Sequence, residues 1–211
     1  HTAAMASVQI APPAEVLLPM QMHSGQAAVP VVEAGDAVRF GQLVAREEGA
    51  ISSPVYATIS GTVAAIEPYE AGGRKTQAIR IKGDGKMEKD PALEAPQVSN
   101  LDEFLAAVQK SGIVGLGGAA FPLWKKLDAV RRNKIKTVLV NGAECEPYIT
   151  SDTRTMLEHS DMIVKGVSLL RKYLQAEEFV IGIEKNKPEA IVEMQRVFAG
   201  DATVRVLELD C

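Results

Sequence analysis

The sequence predicts a two-domain α+β protein in which a small all-β module precedes an α/β domain. Short β-type runs punctuated by Gly and Pro fill residues 16–81, and strand-like and helix-like segments alternate after residue 100. Turn signals about every eight to twelve residues without a helical period are typical of a small barrel or sandwich. Alternating strands and helices indicate a largely parallel sheet.

Composition supports a folded chain and excludes several functional classes. The 211 residues are 46% hydrophobic and carry a net charge of −4, so a packed core is expected and a nucleic-acid partner is not. No apolar run reaches the roughly 20 residues of a membrane span. The two cysteines, Cys145 and Cys211, lack nearby ligand partners and predict neither a disulfide framework nor an internal metal site. The strand-like run just before Cys211 suggests a piece of a longer protein.

The β-module is predicted over residues 1–85. Its phrases Gly-Asp-x-Val-x-x-Gly-Gln and Ser-Gly-Thr-Val resemble the barrel-sandwich fold of biotinyl and lipoyl carrier domains. Such carriers present a modifiable Lys at a hairpin tip, but Arg46–Ala57 contains none, so a structural module is favoured over a carrier. The predicted strands are Val29–Val32, Gly35–Val38, Gly41–Ala45, Ile51–Val55, Ser60–Ile66 and Ala78–Lys82.

A linker is predicted at residues 86–99, where Gly, Pro and charged residues concentrate, and a Rossmann-like α/β domain at 100–211. Ser99 or Asn100 is a suitable cap for the first helix of this domain. The predicted helices are Leu101–Lys110, Trp124–Arg132, Thr155–Tyr173 and Pro188–Phe198, and the predicted strands are Thr137–Val140, Phe179–Ile183 and Val204–Leu209.

The glycine-dense stretch Gly112–Pro122 is the strongest local signal for a ligand. Glycines let backbone amides approach an anionic or planar ligand closely, because no Cβ intervenes. Downstream, Thr137–Val140 predicts a buried strand that delivers Asn141, Glu144 and Glu146 at its carboxyl end. In open α/β sheets that end is where ligands bind.

These residues support a family resemblance. Gly115-Leu-Gly-Gly-Ala-Ala-Phe-Pro122, followed by Asn141-Gly-Ala-Glu-Cys-Glu-Pro147, resembles the flavin-binding segment of the NADH-oxidising subunit of respiratory complex I. The match is stronger to the C subunits of Rnf electron-transport complexes, which link NADH and ferredoxin. Pro19-Met-Gln-Met-His-Ser-Gly25 and the other β-module phrases follow that family's order. Ala120 departs from the family pattern, which usually has Gly there.

The resemblance implies a non-covalent FMN that accepts hydride from NADH, without a catalytic residue or metal ligand in this chain. The amides around Gly115, Gly117 and Gly118 would face the flavin and its phosphate. Lys126 would supply a cationic donor, since a positive group near the flavin stabilises its reduced anionic ring. The resemblance further assigns Asn141 and Glu144 to the flavin, Phe121 to stacking on NADH, and Glu146 to a ribose hydroxyl of NADH.

The implied function is an electron-transfer protein at the cytoplasmic side of a bacterial membrane. Two four-iron clusters of the longer parent protein, outside this chain, would pass electrons on to other subunits of the complex and, indirectly, to ferredoxin. Two other hypotheses stay open: a flavin-free scaffold or quinone-site subunit of a sodium-pumping NADH:quinone reductase, and a β-module that docks neighbouring subunits. Among the remaining polar residues, Asp152 and Arg154 predict an ion pair or helix cap, and Cys145 predicts a small packed side chain.

Overall fold

The computed structural model describes residues 2–210, so Cys211 lies outside the described residues. The chain forms two compact units. One is Ile10–Ala129, named the β-module unit below, and the other, named the sheet unit, comprises residues 2–9 and 130–210. The helix that follows the predicted linker therefore packs within the β-module unit. The domain limits predicted from the sequence, 1–85 and 100–211 with a linker at 86–99, stay a prediction.

Two antiparallel sheets build the β-module. One sheet has the strand order β1-β7-β6-β3 and the other the order β2-β4-β5. The strands are β1 (Glu15–Pro19), β2 (Val29–Pro30), β3 (Ala37–Val38), β4 (Leu43–Arg46), β5 (Val55–Tyr56), β6 (Gly61–Ala71) and β7 (Arg74–Gly83). Side chains from both sheets share one core, which includes Leu18, Met20, Val44, Val63, Ile79 and Ile81. The predicted all-β module is confirmed.

The sequence predicts only part of the long hairpin formed by β6 and β7. β6 and β7 pair from Gly61 opposite Gly83 to Ala71 opposite Arg74, well beyond the two short strands predicted there. Gly72 and Gly73 form the turn with φ values of 59° and 74°. Two consecutive positive φ angles suit a tight hairpin turn whose twist matches the strands, and glycine adopts them without steric cost.

Two helices complete the β-module unit. α1 (Leu101–Ser111) begins at Asn100, whose Oδ1 accepts the amide of Glu103 at 2.9 Å, and ends at Gly112 with φ 70°. The Glu103 carboxylate accepts the amide of Ser99 in return at 2.8 Å, which completes a reciprocal cap. The helix predicted at Trp124–Arg132 is shorter: α2 (Leu123–Leu127) runs into a 3-10 turn at Asp128–Arg131.

The sheet unit contains a three-stranded parallel sheet with the order β10-β9-β8. Its elements are β8 (Thr137–Asn141), α3 (Ser151–Glu158), α4 (Ser160–Leu174), β9 (Glu178–Glu184), α5 (Pro188–Val197) and β10 (Val204–Leu209). Phe179, Ile181 and Ile183 of β9 share a core with residues of all three helices, including Met156, Val167 and Met194. The predicted α/β alternation is therefore confirmed.

Two predictions for this unit are wrong in detail. β8 is an edge strand rather than a buried one: Leu139 is 76% exposed, because among the described strands β8 pairs only with β9 and its alternate side chains face away from the helices. The single helix predicted at Thr155–Tyr173 is two helices, since His159 leaves helical geometry with φ −132° and ψ 31°. Ser160 and Asp161 then start α4, and such residues favour a first turn.

Within residues 2–210, no helix combines the length and the apolar character needed to cross a lipid bilayer.

Candidate functional site

The glycine-rich segment forms a closed loop in the β-module unit. Val114 pairs with Pro122 as an isolated bridge, and the Gly115 amide donates to the Phe121 carbonyl at 3.0 Å. These contacts close the base of the loop and leave residues 116–120 as its tip. Leu116 in that tip is 92% exposed.

Side chains of the β-module hold this loop at both its base and its tip. At the base, the Ser53 hydroxyl donates to the Gly112 carbonyl at 3.2 Å, and the Tyr56 hydroxyl donates to the Lys110 carbonyl. At the tip, Ser24 donates its hydroxyl to the Ala119 carbonyl and its amide to the Ala120 carbonyl, the latter at 3.1 Å. The β-module is therefore the platform on which the loop is built.

The predicted site residues of this unit lie in different environments. Gly117 and Gly118 are exposed at the loop tip, and Lys126 is exposed on α2. Phe121 is half-buried. The Gly115 amide is used within the loop, so any contact of Gly115 with a ligand would come from its lack of a side chain and not from its N–H group. The assignment of these residues to flavin or NADH stays a prediction.

A cavity of about 800 Å³ lies at the carboxyl ends of β8 and β9 in the sheet unit. The first turns of α3 and α5 follow directly on its lining segments. Its lining residues are Thr2, Glu144, Cys145, Glu146, Pro147, Tyr148, Ile149, Thr150, Glu184, Asn186 and Lys187. The cavity therefore lies at the carboxyl edge of the parallel sheet, where ligands bind in open α/β folds.

Glu144 is the most constrained side chain of this cavity. Its Oε1 accepts the amide of Thr153 at 2.9 Å, which caps the first turn of α3 in place of a local cap. Its own amide donates to Oε2 of Glu184 at 3.1 Å. Its other oxygen, Oε2, is buried, and no N–H group or hydroxyl among residues 2–210 donates to it. Glu144 therefore has a structural role, the capping of α3, in addition to any role in ligand binding.

Asn141 and Glu146 lie on either side of Glu144 in the chain and differ from it. The Oδ1 atom of Asn141 accepts the amide of Ala143 at 3.2 Å, so this side chain shapes the turn that leaves β8. Glu146 is exposed and lines the cavity, where its carboxylate is available to a ligand hydroxyl. The structure thus brings Glu144 and Glu146 to one cavity, whereas Asn141 is not among its lining residues. Their assignment to flavin or NADH stays a prediction.

Asp152 in the first turn of α3 has a raised pKa. Burial is the largest cause, followed by the negative charge of Glu144, the hydrogen bond between these two carboxyl groups, and the charge of Glu184. A carboxylate has no proton to donate, so a hydrogen bond between these two carboxyl groups requires that one of them is protonated. The predicted ion pair with Arg154 is wrong, because Arg154 pairs with Glu158 one turn along α3.

Asp152→Asn is expected to flatten the pH dependence of unfolding. The pKa of Asp152 in the folded state is raised above the ordinary value of 3.8, so the protonated carboxyl group contributes to the free energy of unfolding. This contribution is complete when the pH is below 3.8, and it is lost as the pH rises through the folded-state pKa. Asn carries an N–H donor at every pH, so the variant should be more stable than the wild type above this range.

Denaturant unfolding at several pH values measures the effect of Asp152→Asn. Glu189→Gln, which removes the first-turn carboxylate of α5, is the matched control and should leave the wild-type pH dependence unchanged. Parallel stability curves for Asp152→Asn and the wild type would contradict the raised pKa of Asp152.

Three cavity residues at the end of the neighbouring strand were not predicted from the sequence. Glu184 ends β9, and Asn186 and Lys187 connect it to α5. The sequence does contain a signal for them, because Glu-Lys-Asn-Lys-Pro follows the predicted strand Phe179–Ile183 just as the acidic motif follows β8.

The prediction for Cys145 is wrong: its side chain is exposed at the cavity and is not packed.

The N-terminal residues add a further wall to the cavity. Thr2 lines it and hydrogen-bonds to Thr150 at 3.0 Å, and the Ser7 amide donates to the Glu158 carboxylate at 2.9 Å. The bonds from Ser7, together with Arg154, lower the pKa of Glu158 to about 2. This segment is thus held against α3 and the loop before it.

Two family models match the chain in succession. The RnfC barrel sandwich hybrid domain matches residues 1–86, and the Nuo51 FMN-binding domain matches residues 108–210. The C subunit of a proton-translocating ferredoxin:NAD(+) oxidoreductase complex from Clostridium ljungdahlii is 42% identical over an alignment of 198 residues that covers 92% of this chain and 43% of the relative. The chain belongs to this family of C subunits.

Two further relatives agree with this assignment. The C subunit of a Na(+)-translocating ferredoxin:NAD(+) oxidoreductase complex from Acetobacterium woodii is 36% identical, covering 93% of this chain and 45% of the relative. The C subunit of an ion-translocating oxidoreductase complex from Haemophilus influenzae is 37% identical, covering 90% and 24%. The chain spans less than half the length of each of these three relatives. The predicted family, barrel-sandwich module and FMN-binding domain class are confirmed.

Proposed function

We propose that this chain is the flavin- and NADH-binding part of its parent protein, and that it takes electrons from NADH through FMN to iron–sulfur clusters outside the chain. The carrying observation is the cavity at the carboxyl edge of the parallel sheet, lined by the Glu144-Cys-Glu-Pro motif within the segment that matches the FMN-binding family model. The protein would act peripherally, on the cytoplasmic side of a membrane complex that also uses ferredoxin and transports an ion.

The residues around the cavity fit a nucleotide ligand. A volume of about 800 Å³ lies in the range of small-molecule sites. Glu146 offers a carboxylate to ribose hydroxyls, while Pro147, Ile149 and the 97% exposed ring of Tyr148 offer apolar surface to a heterocycle. Lys187 supplies a positive charge at the start of α5 for a phosphate group. Such a mixture of acidic, apolar and cationic groups suits a dinucleotide better than a simple anion.

The glycine-rich loop fits the flavin side of the proposal. Gly117 and Gly118 expose backbone without a Cβ, and the same unit carries Lys126 and the half-buried Phe121. FMN, when bound, supplies acceptance of two electrons from a hydride donor and their release one at a time. The chain itself would orient the ligands: Gly115, Gly117, Gly118, Lys126, Asn141 and Glu144 toward the flavin, and Phe121 and Glu146 toward NADH.

The domain assignment proposed for this function keeps the predicted limits. Residues 1–85 would be the structural β-module, 86–99 the linker, and 100–211 a Rossmann-like flavin domain that further sequence completes. The parallel order of β8, β9 and β10 with three helices packed on one face supports this assignment.

Gly117→Val is the test of flavin binding. The variant should retain no FMN after reconstitution of the full-length protein, because a branched side chain would occupy the exposed loop tip where the flavin approaches. Bound flavin is measured by its visible absorbance, and NADH-dependent bleaching measures hydride transfer. Gly166→Val on α4, where a Cβ meets no atom within 4 Å, is the matched control and should retain FMN.

The outcomes separate the hypotheses. A wild-type protein that stays colourless with FMN refutes the flavin proposal and favours the flavin-free scaffold of a sodium-pumping NADH:quinone reductase. A coloured protein that NADH does not bleach refutes NADH oxidation alone. Equal flavin retention in Gly117→Val and Gly166→Val shows that the loop is only a connection.

A further inference from the structure

Ser24 in the β-module unit makes two hydrogen bonds to the tip of the glycine-rich loop. Its amide donates to the Ala120 carbonyl at 3.1 Å and its hydroxyl to the Ala119 carbonyl. One residue therefore fixes the orientation of two consecutive peptide groups. Ser24 lies outside the loop by almost a hundred residues, so this contact exists only in the folded unit.

These bonds determine where the amides of Ala120 and Phe121 point. No described peptide bond is cis, and in a trans peptide the N–H points opposite to the C=O. Because the carbonyls of Ala119 and Ala120 both point to Ser24, the N–H groups of Ala120 and Phe121 both point away from it. Within residues 10–129 neither amide donates a hydrogen bond.

The backbone at Ala120 supports a functional interpretation of this geometry. Its φ is 48°, in the left-handed region where a residue with a Cβ is disfavoured. In turn conformations that include a left-handed residue, successive N–H groups form a concavity that binds anions. The strain at Ala120 persists because Ser24 holds both of its flanking carbonyls.

Ser24 is itself rigidly placed. The adjacent His23 is only 5% exposed, and its Nε2 donates to the Gln26 carbonyl at 3.0 Å. The Ser52 hydroxyl donates to the same carbonyl at 2.9 Å, and the Gln26 amide donates to the Ile51 carbonyl at 2.9 Å. These hydrogen bonds tie the turn that carries Ser24 to Ile51 and Ser52, in the connection between β4 and β5. The fixed turn can therefore hold the tip of the glycine-rich loop in one orientation.

We propose that Ser24 is a positioning residue for the glycine-rich loop, which turns the amides of Ala120 and Phe121 outward as a paired donor site for a phosphate group. The role in a nucleotide site rests on the proposed function. FMN carries a phosphate monoester and NADH a diphosphate, and both offer the same oxygen acceptors to two neighbouring N–H groups. The experiment below distinguishes these two sources.

Three variants test this role in the full-length protein. Ser24→Ala removes the hydroxyl donor, Ser24→Thr restores one, and Ser53→Ala is the matched control because it removes a similar hydroxyl-to-carbonyl bond at the base of the loop. The dissociation constants of FMN and of riboflavin, which lacks the phosphate, are measured by flavin fluorescence. The KM for NADH is measured on the FMN-loaded protein.

If the amides hold the FMN phosphate, Ser24→Ala should weaken FMN binding about tenfold and leave riboflavin binding nearly unchanged, since hydrogen bonds to a charged group are lost. If they hold the NADH diphosphate, FMN binding should persist while the KM for NADH rises about tenfold with little change in kcat. Ser24→Thr should recover most of either effect. Ser53→Ala should lower thermal stability without either change.

Equal FMN and NADH parameters in Ser24→Ala and the wild type would overturn the proposal. A second measurement does not depend on flavin binding: titration with inorganic phosphate should shift the amide NMR resonances of Ala120 and Phe121 in the wild type but not in Ser24→Ala. Absence of that shift in the wild type refutes the phosphate site, whereas absence of bound flavin with the shift present refutes only the proposed function.

Discussion

Replacement of Gly25 by alanine is expected to unfold the β-module unit at much lower denaturant concentration than the wild type. Gly25 has φ 98°, and an added Cβ would lie 2.0 Å from the carbonyl oxygen of Ile51. The disfavoured φ costs about 1–3 kcal/mol. The clash adds about 1–3 kcal/mol, because the Ile51 backbone cannot move aside without breaking its bond to the Gln26 amide.

Gly35→Ala separates the two causes. Gly35 has nearly the same φ, 100°, but an added Cβ there meets no atom within 4 Å. This control should therefore show the cost of φ alone. The fluorescence of Trp124, the single tryptophan of the chain, reports unfolding of the β-module unit. Equal losses of stability in the two variants would show that the Ile51 carbonyl yields and that the close approach is unimportant.

Phe179→Ala is expected to lower the free energy of unfolding of the sheet unit by about 3–5 kcal/mol, the usual cost of truncating a buried Phe. Phe179 on the central strand β9 is completely buried and contributes to the core that joins the sheet to its helices. The cavity left behind would lie at the centre of that core, where neighbouring strands limit collapse. Denaturant unfolding followed by helical circular dichroism measures the loss.

The control for Phe179→Ala is Leu139→Ala on the adjacent strand β8. Leu139 is 76% exposed, so its truncation should cost less than about 1 kcal/mol. A loss comparable to that of Phe179→Ala would show that Leu139 packs against a surface in solution. The two variants together therefore test which face of the sheet carries the core of the sheet unit.

The platform role of the β-module changes how the docking hypothesis can be tested. Ser24, Ser53 and Tyr56 hold the glycine-rich loop and the end of α1, so removal of the module would also release the loop. A deletion that abolishes membrane association and NADH oxidation together would then have a structural cause. Substitutions on exposed strand positions away from these three residues separate docking from flavin binding.

Most of the fold could be predicted because its signals are local. The cap at Asn100 and Glu103, the glycine at 112 and the apolar run Phe179–Ile183 each specify a boundary or an element within a few residues of sequence. The break at His159 was missed because the apolar period continues across it. The exposure of Leu139 was missed because an apolar run does not reveal how many neighbours its strand has.

The candidate cavity could be predicted where acidic residues closely follow one strand end, as Glu144 and Glu146 do. Glu184 required the second strand end, which lies forty residues further along the chain but beside the first in the sheet. The raised pKa of Asp152 required the fold entirely, since the Glu144 carboxylate reaches the first turn of α3 only after the intervening loop has folded back.

By itself, the sequence determined the family, the two kinds of secondary structure and the glycine and acidic motifs, because these are written in neighbouring residues. Tertiary structure alone decided that the glycine-rich loop rests on Ser24, that Ala120 adopts a left-handed conformation, and that Glu144 meets Glu184 and Asp152. The physical reason is distance along the chain: hydrogen bonds and charge interactions between remote residues depend on packing, which no local pattern encodes.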